Sequence, residues 1–145
     1  MNPRYFAPVV CWIEYRDDGF ITANQIGGIG YAEDLLDKGK RVLILDREAP
    51  VDFASRHYVD LSGDEPRVVP RPLLPALPKT DAAVDEPIRV PGLPAGTKVE
   101  VFGAFAVTAI HAGGDLDLVF PLPGTYHVNL SGFPWQRASY TIEVA

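Results

Sequence analysis

The chain has one cysteine, Cys11, so no intrachain disulfide can form. It has three histidines, His57, His111 and His127, and contains no HExxH, no CxxC and no His/Cys pair at ligand spacing. Its serines, Ser55, Ser62, Ser131 and Ser139, include no GxSxG elbow. Basic residues are outnumbered, 13 Lys and Arg against 19 Asp and Glu, for a formal charge of −6. An acidic, scattered charge pattern repels phosphate backbones, so no nucleic-acid partner is expected. The densest basic group, Lys38, Lys40 and Arg41, reads as a helix end leading into a strand. No apolar run approaches the roughly 20 residues a membrane helix needs, so membrane insertion is not expected. The opening Met-Asn-Pro-Arg is not a basic start followed by an apolar core, so no secretory leader is read and synthesis in a cytosol is expected.

What is present is ordinary globular material, 47% hydrophobic and 22% charged over 145 residues. That length suits one modest core or two small ones. Proline gives the clearest organisation: eight of the 14 lie from Pro66 to Pro94. Proline fixes φ and cannot donate to a ladder, so residues 66–85 are expected to be an extended connector, not a helix or central strand. The connector also carries Val68, Val69, Leu73, Leu74 and Leu77, and is therefore expected to lie against a surface of its own chain or of a partner.

Residues 1–65 read as a small β-rich α+β unit. Residues 7–15 are strand-like, and Asp17-Asp18-Gly19 is a turn returning into a second strand at 20–25. Gly27, Gly28 and Gly30 predict a flexible loop before a helix over 31–38; they lack the lysine and spacing of a phosphate loop. Residues 42–45 form a buried strand, 50–55 a turn or short helix, and 57–61 another strand. Cys11 and Trp12 are expected inside the core.

Residues 86–145 read as all β. Short strands over 87–90, 97–102, 105–110, 116–120, 125–130 and 139–144 are separated by turns such as Pro94-Ala95-Gly96, Gly113-Gly114 and Pro123-Gly124. Tyr126, Val128 and Leu130 share one face, as do Tyr140, Ile142 and Val144. The pattern predicts a small immunoglobulin-like β-sandwich whose few strands leave edges that need cover from the connector or a neighbouring subunit. The fold class expected for the whole chain is mainly β: an α+β unit, a Pro-rich connector and this sandwich.

The stretch VPGLPAGTKVEV, followed by LDLVFPLPGTYHVNLSGFPWQRASYTIEV, resembles the immunoglobulin-like modules of bacterial and phage surface proteins. In those modules a Pro-Gly-Thr-Tyr turn opens a strand near the end, here Pro123 to Tyr126. Together with Tyr5 to Pro8, His57 to Asp60 and Val69 to Ala76, the chain resembles the small accessory tail and baseplate structural proteins of tailed bacteriophages. The resemblance implies a virion tail location after synthesis in the host cytoplasm. It implies other tail or baseplate proteins as partners, and repeated copies in a symmetric assembly.

Chemistry-bearing constellations are sparse. Ser55-Arg56-His57 is adjacent only in sequence, and a triad requires spatial convergence. His111 with Asp115 and Asp117 reads as a polar loop entering a strand, and the acid pairs Asp17-Asp18 and Asp64-Glu65 as solvated turns. No catalytic residue, metal ligand or cofactor is therefore expected. The candidate interface residues are Tyr5 and Phe6 in an N-terminal arm, Leu73 and Leu74 in the connector, and Phe133 and Trp135 between the last two strands. The expected function is a non-enzymatic structural or adaptor component of a phage tail tip, baseplate or fibre attachment. The alternatives are a carbohydrate-binding module using Phe133 and Trp135, or a tail-fibre assembly chaperone absent from the mature particle.

Overall fold

The unbroken apolar run Val9 to Ile13 gives a strand with two apolar faces, β1 (Val9–Tyr15). It is the centre of a three-stranded antiparallel sheet, flanked by β2 (Ile21–Gly28) and, after the helix α1 (Ile29–Asp37), by β3 (Val42–Leu45). The computed structural model describes residues 8–145, which are mainly β and divide into two compact units, one ending at Arg71 and the other running from Pro72 to Ala145.

In the first unit, Trp12, Val42, Val10 and Ile44 pack with Ala32 and Leu35 of α1. The opposite face, with Ile13, Ile21, Leu43 and Leu45, packs with Phe53 of the one-turn helix α2 (Phe53–Arg56). Val59 of β4 (His57–Asp60) and Val68 of β5 (Arg67–Pro70) complete that second layer. A sheet covered on both faces has no polar side, which is why residues 42–45 read Val-Leu-Ile-Leu. β4 and β5 pair antiparallel, from His57 opposite Pro70 to Asp60 opposite Arg67.

The second unit contains two sheets around one core. The larger runs in the order β6 (Asp81–Ala82), β12 (Trp135–Val144), β11 (Gly124–Gly132), β8 (Lys98–Phe102) and β9 (Ala106–Ile110). The smaller pairs β7 (Ile88–Leu93) with β10 (Gly114–Leu118). Ile88, Val90 and Leu118 of the small sheet share a core with Val99, Val101, Val128 and Ile142 of the large one. Each such fully buried aliphatic side chain contributes about 1.5–3 kcal/mol of transfer free energy. Phe120 and Tyr126, tilted rings with centroids 4.5 Å apart, fill the same interior.

Three expectations are corrected. Residues 66–85 are not a separate connector, because the division falls between Arg71 and Pro72. Arg67–Pro70 is an outer strand whose last residue is the proline, a position where proline is tolerated. Leu73 bridges to Gln136, and β6 pairs in parallel with β12, so the rest of the stretch covers the β12 edge of the second unit. The Gly27-Gly28-Ile29-Gly30 segment is not a loop: Gly27 and Gly28 stay in register with Val10 and Val9, and Gly30 lies in α1. The ladder continues into the helix through the Ile29 amide, which donates to the Pro8 carbonyl at 2.8 Å. Cys11 is only partly buried, while its neighbour Trp12 is a core residue as expected.

Candidate interaction surface

The six residues proposed from sequence have unlike positions. Tyr5 and Phe6 lie outside the described residues. Leu73 is 73% exposed, whereas Leu74 is 7% exposed and belongs to the core of the second unit, so it presents nothing to a partner. Phe133 and Trp135 sit at the tip of the β11–β12 hairpin, where Gly132 pairs with Trp135 and the Phe133–Pro134 peptide is cis. Phe133 is 36% exposed, and Trp135 is half-buried against the core. Leu73 and Trp135 meet one neighbourhood, because the Leu73 bridge partner is Gln136 and the Gln136 amide donates to the Pro72 carbonyl at 2.8 Å.

The polar groups singled out by sequence take separate partners. Ser55 Oγ donates to the Asp52 carbonyl at 2.7 Å, and His57 Nδ1 lies 3.2 Å from the Phe53 carbonyl, its ring stacked on Phe53. His111 Nε2 lies 3.0 Å from the Gly114 carbonyl, the Asp115 carboxylate accepts the Gly92 amide, and Asp117 pairs with Arg89. The Arg89 guanidinium, by hydrogen bond first and by charge second, holds the Asp117 carboxyl below its usual range. Arg16 does the same for Asp18 in the first turn. These contacts fix turns and strand ends. Along the first unit, Leu45, Arg47, Glu48, Phe53, His57 and Val68 line a cleft of about 600 Å³.

The surface that sequence reasoning missed is β9. It is the last strand of the large sheet and has no strand on its outer side among the described residues. Every residue of it, Ala106, Val107, Thr108, Ala109 and Ile110, is exposed, with Val107 at 48% and Ile110 at 66%. Register places Ala109 beside Val99 and Val107 beside Val101, so both point to the inner face. They stay uncovered because the small sheet stops at β10, and they line an open apolar groove of about 330 Å³ with Leu116 and Phe120. The signal was present in the sequence: an edge strand facing water normally alternates with polar residues or carries a charge, and this one has neither.

Tyr126 is fully buried, and its hydroxyl donates to the Leu122 carbonyl at 2.7 Å, tying the start of β11 to the turn before it. Among the described residues no helix is long and apolar enough to cross a membrane. No protein-family model, curated protein or solved structure matches the chain.

Proposed function

We propose that the chain is a non-enzymatic structural or adaptor protein that acts by protein–protein assembly. The observation that carries this reading is β9, an apolar edge strand exposed along its whole length beside an open apolar groove. Such an edge is a template for another strand, and soluble chains ordinarily blunt it with charge, proline or a covering element. The opposite edge of the same sheet does have such a cover, in β6 and Leu73.

The second unit is read as an immunoglobulin-like module. Support comes from two mainly antiparallel sheets sharing one core, and from a tyrosine at the start of a late strand whose hydroxyl reaches back four residues, as in a tyrosine corner. With the resemblance to tailed-phage accessory proteins, the reading becomes a component of a tail tip, baseplate or fibre attachment, located in the virion and contacting other tail or baseplate proteins. Mass spectrometry of purified particles tests it. The chain recovered at fixed stoichiometry with the tail proteins supports the reading. Particles without it, while it persists free in the lysate, overturn it and favour the assembly chaperone.

A further inference from the structure

We infer that β9 pairs with β9 of a second copy of this chain, antiparallel about Thr108, to form a two-fold dimer with one continuous sheet. The inference rests on the assembly reading above and names the occupant of that edge.

The His111 amide donates to the Thr97 carbonyl at 2.8 Å, so His111 and, by the two-residue alternation, Ala109 and Val107 turn their backbone groups toward β8. Ala106, Thr108 and Ile110 then turn both amide and carbonyl to the open edge. An antiparallel mate centred on Thr108 satisfies all of them, with Thr108 opposite Thr108 and Ala106 opposite Ile110 of the second copy.

Side chains agree with the same register. On the outer face the pairs are Thr108 with Thr108 and Ala106 with Ile110, and threonine pairs are favourable across strands. On the inner face Val107 meets Ala109 of the second copy, extending the apolar floor of each groove. No charge is placed opposite itself.

Charge permits the second copy as occupant. Each chain carries −6, so two copies repel unless they touch through a neutral strip. Residues 101–114, which contain β9, include no Asp, Glu, Lys or Arg. A symmetric contact also needs a self-complementary patch, which a five-residue strand centred on a threonine supplies.

The test uses the full chain with Cys11→Ser and Thr108→Cys. Paired Cα atoms in such a register lie about 5.5 Å apart, within disulfide reach. Under oxidised glutathione the variant is expected to convert to a covalent dimer, while a His127→Cys control on β11 does not. Without the cysteine, sedimentation should show a concentration-dependent dimer that Thr108→Lys weakens at least ~10-fold, because like charges then stand opposite each other. Thr108 is exposed, so at concentrations where the parent is monomeric the Lys variant should keep the parent's thermal midpoint. A chain monomeric at every concentration, with no cross-link at position 108, overturns the inference. So does a dimer that Thr108→Lys leaves intact. A monomer that enters particles only with Thr108 unaltered also overturns it, assigning β9 to a strand of another protein and sparing the assembly reading. A position-108 dimer supports the inference even where particles lack the chain.

Discussion

Tyr126 shows how one hydroxyl organises a corner. Its ring is fully buried between Phe120 and Phe105, and its oxygen reaches the Leu122 carbonyl. Tyr126→Phe keeps the ring and removes the bond, so urea unfolding should show a loss of about 1 kcal/mol. Gly103 is bound to the same corner: a Cβ there would run into the Tyr126 ring and the Thr125 carbonyl, so Gly103→Ala should cost more than Tyr126→Phe. In the first unit Gly19 sits at φ +89°, a Cβ there would overlap the Val59 carbonyl oxygen, and its own carbonyl accepts the Val59 amide at 2.9 Å. Gly19→Ala should therefore lower the unfolding free energy by about 1–3 kcal/mol. The Asp17-Asp18-Gly19 turn was legible from sequence, as was the tyrosine. The requirement for glycine against Val59 was not, since it comes from a strand 40 residues away.

At the scale of elements, the β4–β5 hairpin carries a built-in acid response. The Ser62 hydroxyl and amide donate to Asp60, and Arg67 pairs with its other oxygen; together they hold the carboxyl at about 2, down from 3.8. A depressed carboxyl stabilises the fold fully above the unfolded value. As pH falls below 3.8 the unfolded chain takes up the proton first, so this contribution declines and is gone once pH passes about 2. The unfolding midpoint followed from pH 5 to pH 2 should fall in the parent, and less steeply in Asp60→Asn. The sequence displayed β4 but concealed β5, because prolines at 66 and 70 argued against a helix or a central strand and left an extended connector as the reading. Pro70 is accommodated by ending the strand at an outer position. β6 was hidden for another reason: a two-residue parallel strand takes its identity from β12, some sixty residues on, and local periodicity holds no trace of that. By contrast β3 was legible from its unbroken apolar run, and β8 and β11 from side chains that alone state which face is buried.

For the whole molecule, what matters is where one core stops and the next begins. A division inferred from composition falls at residues 65 and 85, where proline content changes. The packing division falls at Arg71, whose guanidinium still belongs to the first unit, donating to the Ala54 and His57 carbonyls. Three residues later the chain has joined the second core. Leu74 is buried with Ile88, Val128 and Ile142, Ala82 lies against the same cluster, and β6 closes the β12 edge. Adjacent leucines should then report the boundary directly: Leu74→Ala should cost about 2–5 kcal/mol in the second unit, and Leu73→Ala, at an exposed position, under about 0.5 kcal/mol. Excised fragments should report the same boundary. A unit of this size has little stability to spare, so residues 72–145 should fold with dispersed amide resonances. Residues 86–145, which keep every residue of the proposed module but lose Leu74, Ala82 and the β6 cover, should unfold at lower urea and expose the β12 edge to self-association. Equal stability of the two fragments would mean that the proline-rich stretch only lies on the sheet, and the composition boundary would then be the physical one.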